Sequence, residues 1–230
     1  MEFRICSFNI GAAAKRCMRY TEENLFDVAL AVKESECDIA CLQEVDLGCA
    51  RSDGVDMPRV ISENSGYPFY HFIRIRPFQG GLYGTLILSK HRIISAKTGD
   101  FKVKKATQGT SYGYAVIRMG TEEITVFNTH LSIESAECNV ETMQCLCDEL
   151  KSRGGEYICC GDFNALPKQV HMGIPHLEYA NKELCTYSDR GIDNVLYTQG
   201  FELLRVWVKD TTASGTSDHN MLLCDFKKNY

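Results

Sequence analysis

The stretch YICCGDFNALP, residues 157–167, decides how this chain is read. An apolar run from Tyr157 to Cys160 meets Gly161, and then an acid and an amide stand two residues apart, at Asp162 and Asn164. A single Asp or Asn is enough to start an Asx-turn. A pair at the end of a buried-looking strand asks for a second role, because side chains two apart on an extended segment share a face.

Outward from this stretch the same pattern recurs. Apolar runs end on polar, chemically capable side chains at Asn9 in SFNI, Glu44 in LQEV, Asn128 and His130 in FNTHL, Asp193 in GIDN, and Asp218-His219 in SDH. Each has an ordinary structural explanation alone, as a cap, a turn or a solvated charge. Carboxylates, amides and histidines that repeatedly terminate apolar strands are not what a solvated surface requires, and strand ends converging on one rim would form a site.

The remaining periodicity supplies the scaffold. Phe3, Ile5 and Phe8 lie on a first strand that ends at Asn9. Thr21 precedes Glu22 and Glu23 as an N-cap with acids in the first turn, and Leu25, Val28, Ala29 and Val32 follow at helical spacing. Asp38 to Leu42 reads as a second strand stopping at Gln43-Glu44, residues 46–60 as irregular, and Arg59 to Ser65 as a short helix closed by Gly66. Strands are expected at Tyr70–Arg76, Tyr83–Ser89, Ala115–Met119, Ile124–Leu131, Tyr157–Cys160, Ile192–Tyr197, Leu203–Val208 and Met221–Phe226. Met143, Leu146, Cys147 and Leu150 mark a second long helix that stops near Gly154-Gly155. About ten strands with two strong helices predict packed sheets flanked by helices, a layered α/β sandwich.

A chain of 230 residues without a Pro/Gly/Ser-rich linker is read as one domain over residues 1–230. At this size roughly 70–75% of the unfolded surface can be buried, so stability does not demand cross-links from the 12 cysteines. They form no CxxC pair and no zinc-like spacing, and most sit in apolar runs, where a free thiol behaves as a small hydrophobe. With no leader-like N-terminus and no stretch of 18 apolar residues, the expectation is a monomer in a reducing cytoplasm, without a transmembrane segment. The net charge of −5 disfavours, without excluding, electrostatic capture of nucleic acid. Two short basic clusters, Lys15/Arg16/Arg19 and Lys102/Lys104/Lys105, are the local exceptions.

Taken in order, SFNI, LQEV, YGTLILSK, FNTHL, GDFNALP, GIDNVLYT and SDH resemble the signature series of the endonuclease/exonuclease/phosphatase superfamily, over essentially the full chain. The resemblance implies a four-layer α/β sandwich of two packed mixed β-sheets with helices outside. It implies a hydrolase of phosphoester bonds that uses Mg²⁺ or Mn²⁺, one or two ions, held by Glu44 with Asn9 and Asp218. Asp162, Asn164, His219, Asp193 and His130 take the places of catalytic residues, and Asn9, Asn128 and Tyr83 the places of substrate contacts. Arg51, in a turn ARSDGVDMP that resembles bacterial relatives, is either a phosphate contact or a solvated loop charge.

The chemistry explains these residue types. A phosphodiester is anionic and repels hydroxide, so a hard cation bound through oxygen is needed to offset the developing charge. In one scheme Asp162 positions and deprotonates water, Asn164 donates to a phosphoryl oxygen, and His219, oriented by Asp193, stabilises the transition state, while the sequence leaves open which of Asp162, His130 and His219 is base or acid. His130 binds phosphate or assists the leaving group. Small, lipid and nucleic-acid esters all remain open as substrates, the first two slightly preferred, and a family member that retains the fold but not turnover, acting as a scaffold, is the non-enzymatic alternative.

Overall fold

A computed structural model describes residues 1–14, 18–101, 103, 106 and 111–229. The strands are β1 (Glu2–Asn9), β2 (Ile39–Leu47), β3 (Phe69–Phe78), β4 (Gly81–Ser89), β5 (Arg92–Asp100), β6 (Ser111–Met119), β7 (Glu122–His130), β8 (Tyr157–Asp162), β9 (Glu178–Tyr179), β10 (Asp193–Tyr197), β11 (Phe201–Lys209) and β12 (Met221–Lys228). The helices are α1 (Glu22–Glu34), α2 (Met57–Ser65), α3 (Ala136–Arg153) and α4 (Pro167–Gly173). Lys15, Arg16, Lys102, Lys104 and Lys105, most of both basic clusters, lie outside the described residues.

Helix starts are chemically specified. Thr21 accepts a hydrogen bond from the Asn24 amide, Asp56 from that of Arg59, and Ser135 from that of Cys138, each satisfying a first-turn N–H that has no partner within its helix. Gly66, at φ 79°, closes α2 in the left-handed conformation.

The strands form two six-stranded sheets, ordered β11-β12-β1-β2-β4-β3 and β5-β6-β7-β8-β10-β9. Each is mixed, with one central parallel pair, β1 with β2 in the first and β7 with β8 in the second. Ile5, Ile39, Cys41 and Ile87 of one sheet meet Val126, Ile158, Cys160 and Val195 of the other in an apolar layer between them. On the outer face of the first sheet, Leu25, Val28 and Val32 of α1 and Met57 and Ile61 of α2 pack on Phe8, Leu42 and Leu86. Opposite, Met143, Leu146 and Leu150 of α3 and Val170 of α4 cover Phe127 and Cys159. The architecture is therefore the expected four-layer sandwich, and each fully buried aliphatic side chain contributes about 1.5–3 kcal/mol to it.

Three differences from the sequence reading have local causes. Strand β2 does not stop at Glu44 but runs on to Leu47 through a bulge between Leu42 and Val45. Gly161 makes no turn; it lies within β8, where a Cβ would come within 2.6 Å of the Thr129 carbonyl oxygen on β7. Strand β5 went unread because most of its side chains are exposed and show no apolar alternation.

Eleven cysteines fall within the described residues and all are free thiols, nine of them buried. Thiol titration in denaturant without reductant should accordingly find nearly all 12 of the chain's cysteines reactive. Recovery of several stable disulfides would contradict the packing. Among the described residues no helix is long and apolar enough to cross a membrane.

Candidate active site

The parallel pairs create the site. Because β1 runs with β2 and β7 with β8, four strands carry their C-terminal ends to the same rim, and antiparallel β10 and β12 begin there. Asn9 ends β1, His130 ends β7, Asp162 ends β8, Asp193 opens β10, and His219 lies just before β12. These side chains are buried beneath the rim.

Asn9 is the central link. Its amide donates to Glu44 Oε1 at 3.1 Å and to Asp162 Oδ2 at 3.0 Å, so one neutral group holds two carboxylates from opposite sheets. Its own Oδ1 accepts from the Gly11 amide at 3.0 Å, which fixes the orientation of the amide. Glu44 reaches this position through the bulge in β2, at φ 57°, a left-handed backbone that is costly for a residue with a Cβ and is retained where surrounding structure over-determines it.

Asp162 is almost completely buried, and burial, with Asp193 nearby, pushes its carboxyl above the usual range, against the lowering influence of His130, His219 and Asn9. Its Oδ2 lies 3.6 Å from His130 Nε2 and 3.8 Å from His219 Nε2. Its Oδ1 accepts from the Asn164 amide at 2.9 Å, an Asx-turn, and Asn164 sits at φ 49°. The acid and the amide are thus brought together by a turn after the strand, not by sharing a strand face. Asn164 also donates through Nδ2 to the Leu131 carbonyl at 2.9 Å, which commits one of its two amide hydrogens.

His219 is held by Asp193, whose Oδ2 lies 2.8 Å from Nδ1. Burial alone would lower the imidazole's pKa, but Asp193, with Asp162 and Asp218, raises it to about 9. The ring is therefore charged at neutral pH, with Nε2–H as its remaining donor. His130 meets the Tyr83 hydroxyl through Nδ1 at 3.3 Å and turns Nε2 toward Asp162. Tyr83 is thus placed against His130, and burial raises its phenol well above its ordinary value.

Two expected substrate contacts are instead engaged within the protein. Asn128 is fully buried below the site, where both amide hydrogens go to the Leu42 and Leu86 carbonyls, each at 3.0 Å, and its oxygen accepts from Gln43 Nε2 at 2.8 Å. It ties the sheets together and has no donor left for a substrate. Arg51 is neither a free phosphate contact nor a solvated charge. Its Nε and Nη2 grip the completely buried Asp46 carboxylate at 2.7 and 2.8 Å, and its guanidinium stacks 4.7 Å from the Phe78 ring centre.

Two supports are assigned no role by the sequence reading. Ser217 donates to the Asn9 carbonyl at 2.6 Å and accepts from the His219 amide at 3.1 Å, and the Tyr187 ring lies 4.7 Å from the His219 ring. Ser217 is the first residue of the SDH motif, of which only Asp218 and His219 were assigned roles, and nothing in the sequence pointed to Tyr187.

The donor set suits a hard divalent cation, which takes oxygen ligands. Glu44 and Asp162 converge on Asn9, and Glu44 and Asp218 line a cavity of about 160 Å³ with Gly11. Asp162, Asp193 and His219 also form a group compact enough to hold an ion, with ligand atoms within 4.8 Å of one another. In that group Asp193 Oδ2 and His219 Nδ1 already satisfy each other, whereas Asp193 Oδ1 is buried without a hydrogen-bond partner among the described residues.

Residues 6–219 match the model of the Endonuclease/Exonuclease/phosphatase family, and the chain belongs to this family of, in general, hydrolytic phosphoesterases. Solved structures agree in fold. A family protein from Bacteroides vulgatus superposes with a TM-score of 0.81 at 16% identity, covering 100% of both chains. ANGEL2, a 2′,3′-cyclic phosphatase solved with adenosine-2′,3′-vanadate, gives 0.77 at 16% identity over 100% of this chain and 96% of its own. Sphingomyelinase C from Streptomyces griseocarneus gives 0.72 at 14% identity over 98% and 99%. No curated protein sequence gives a significant match.

Proposed function

We propose that the protein is a divalent-metal-dependent hydrolase of phosphoester bonds, acting by in-line attack of water on phosphorus. The observation that carries this reading is the convergence of Glu44, Asn9, Asp162 and the charged His219–Asp193 pair on one rim. Glu44, with Asn9 and Asp218 beside it, would hold Mg²⁺ or Mn²⁺, which when bound supplies Lewis-acid neutralisation of phosphoryl charge. The chain's own residues do the rest. Asp162, desolvated and fixed by two hydrogen bonds, orients the attacking water and takes its proton. His219 donates from Nε2 to a phosphoryl oxygen, and its charge persists because Asp193 faces the other nitrogen. In this reading the second amide hydrogen of Asn164 serves the same phosphate, and His130 serves the leaving group.

Small or lipid esters are preferred over duplex DNA. Beside Asn164 opens a groove of about 550 Å³ lined in part by Ile133, Val140, Met143 and Met172, a surface that suits an apolar substituent. Ile133, Val140 and Met172 line it while 60%, 67% and 79% exposed, and exposed apolar side chains gathered in one groove are the kind of surface that marks a binding site. Free, mostly buried thiols fit a reducing cytoplasm.

Hydrolysis of bis(p-nitrophenyl) phosphate, present with Mg²⁺ or Mn²⁺ and abolished by chelator, tests the reaction class. Duplex affinity, measured across a salt series in Ca²⁺, tests the preference. Few neutralised phosphates should give a slope of about −1 to −3 in log K against log salt, and a steep slope with tight binding near physiological salt would establish a nuclease instead.

A further inference from the structure

Arg76 was not among the residues that sequence motifs singled out, yet it lies beside the site with hydrogen-bonding capacity unspent. In β3 the register runs Arg74 opposite Gly84 and then Arg76 opposite Tyr83, so Ile75 is the extra residue of a bulge. Gly84 and Tyr83 are neighbours on β4 and face opposite sides of the sheet, so the bulge moves Arg76 onto the face of Tyr83. There its guanidinium lies 4.8 Å from the Phe78 ring centre and 5.6 Å from that of Tyr83, whose hydroxyl touches His130.

Two described cations close to Arg76 are committed. Arg51, over the same two rings, gives its fork to Asp46, and Arg74 meets Asp100 at 3.5 Å. Arg76 has no carboxylate partner among the described residues, and its Nε is buried without any hydrogen-bond partner. Such a group is costly to leave unmet. A partly exposed arginine, its guanidinium pre-oriented on two aromatic rings, with no carboxylate partner among the described residues and an active-site histidine one ring away, suits a planar pair of anionic oxygens.

We propose that Arg76 is a specificity-determining residue that binds a second phosphate of the substrate, next to the one cleaved. This rests on the phosphoester reading above and narrows it to substrates carrying a second phosphate. That phosphate belongs to a small bisphosphorylated ester or to the next link of a polynucleotide, and the two sources are separable.

Calorimetric binding in Ca²⁺ compares thymidine 5′-monophosphate with thymidine 3′,5′-bisphosphate. The added phosphate should tighten binding at least about tenfold in the wild type, as expected for a charge-assisted bidentate contact, and less than twofold in Arg76→Met. Methionine retains a stem to cover Phe78, and Arg76→Lys, which keeps the charge but loses the fork, should fall between. Both variants should hydrolyse bis(p-nitrophenyl) phosphate within about threefold of the wild-type kcat/KM, since that probe has no second phosphate. Pentathymidylate should bind no more tightly than the bisphosphate. An equal advantage for the bisphosphate in Arg76→Met, or no advantage in the wild type, would overturn the assignment, whereas a large further gain with pentathymidylate that is lost in Arg76→Met would support it with a polynucleotide as the source. Loss of the aryl diesterase activity alone, with the Arg76-dependent binding intact, would remove the hydrolase reading and leave the anion site standing.

Discussion

Glu44→Gln should lower turnover of an aryl phosphodiester by at least about a hundredfold and weaken Mg²⁺ or Mn²⁺ binding by at least about tenfold, while the protein stays folded. Glutamine has the same volume, can adopt the same bulge, and still offers an oxygen to the Asn9 amide that now donates to Glu44 at 3.1 Å. What disappears is one negative charge from an oxygen-rich pair that Asn9 holds together with Asp162. Calorimetric metal titration and a thermal melt check the two halves separately. Undiminished metal binding in Glu44→Gln would move the ion to Asp162, Asp193 and His219, and the same titration on Asp193→Asn would then show the loss. Asn9→Ala should lie between these extremes, because it removes the link between the carboxylates and leaves both of them in place.

How far the site could be read in advance follows from how each residue gets there. Asn9, His130, Asp162 and Asp193 lie at strand ends, and a polar residue closing an apolar run is visible in one dimension. The parallel pairing that sends those ends to one rim is a property of the sheets, and it was anticipated only through the resemblance. Glu44 was read as a strand terminus for the same reason, although it is a bulge residue inside β2. Bulges are where the reading failed most. One re-aims Glu44, and another brings Arg76 to the face of Tyr83, and nothing in period-two alternation announces an extra residue.

Asn128 and Arg51 failed for a different reason. The sequence shows what a side chain can offer but not what has already claimed it. Leu42 and Leu86, which take the amide hydrogens of Asn128, lie 86 and 42 residues away. Asp46 lies only five residues from Arg51, but its complete burial within β2 is a product of tertiary packing. A buried carboxylate needs its counter-ion, and breaking such a pair costs about 3–5 kcal/mol, so Arg51 is tied to folding before it is available to a substrate.

The His219–Asp193 pair makes the second large prediction, and stability and activity should respond to it differently. Alanine at either position should cut kcat by about 10²–10⁴, through loss of the donor itself or of the carboxylate that orients and charges it. The double variant should lose little more than the more severe single one, because Asp193 acts through His219 at 2.8 Å and groups that work as a unit are non-additive. In thermal melts the order should invert. His219→Ala leaves the Asp193 carboxylate buried, with Oδ1 already unpartnered and Oδ2 newly so, and should be the least stable of the three. The double variant removes that stranded charge and should recover part of the loss, since an uncompensated buried ion costs more than the absence of both partners. Activity losses that multiply across the two sites would mean that Asp193 has a role of its own, most directly as a ligand in the compact group with Asp162. A double variant less stable than His219→Ala would mean that Asp193 is neutralised by something other than the imidazole.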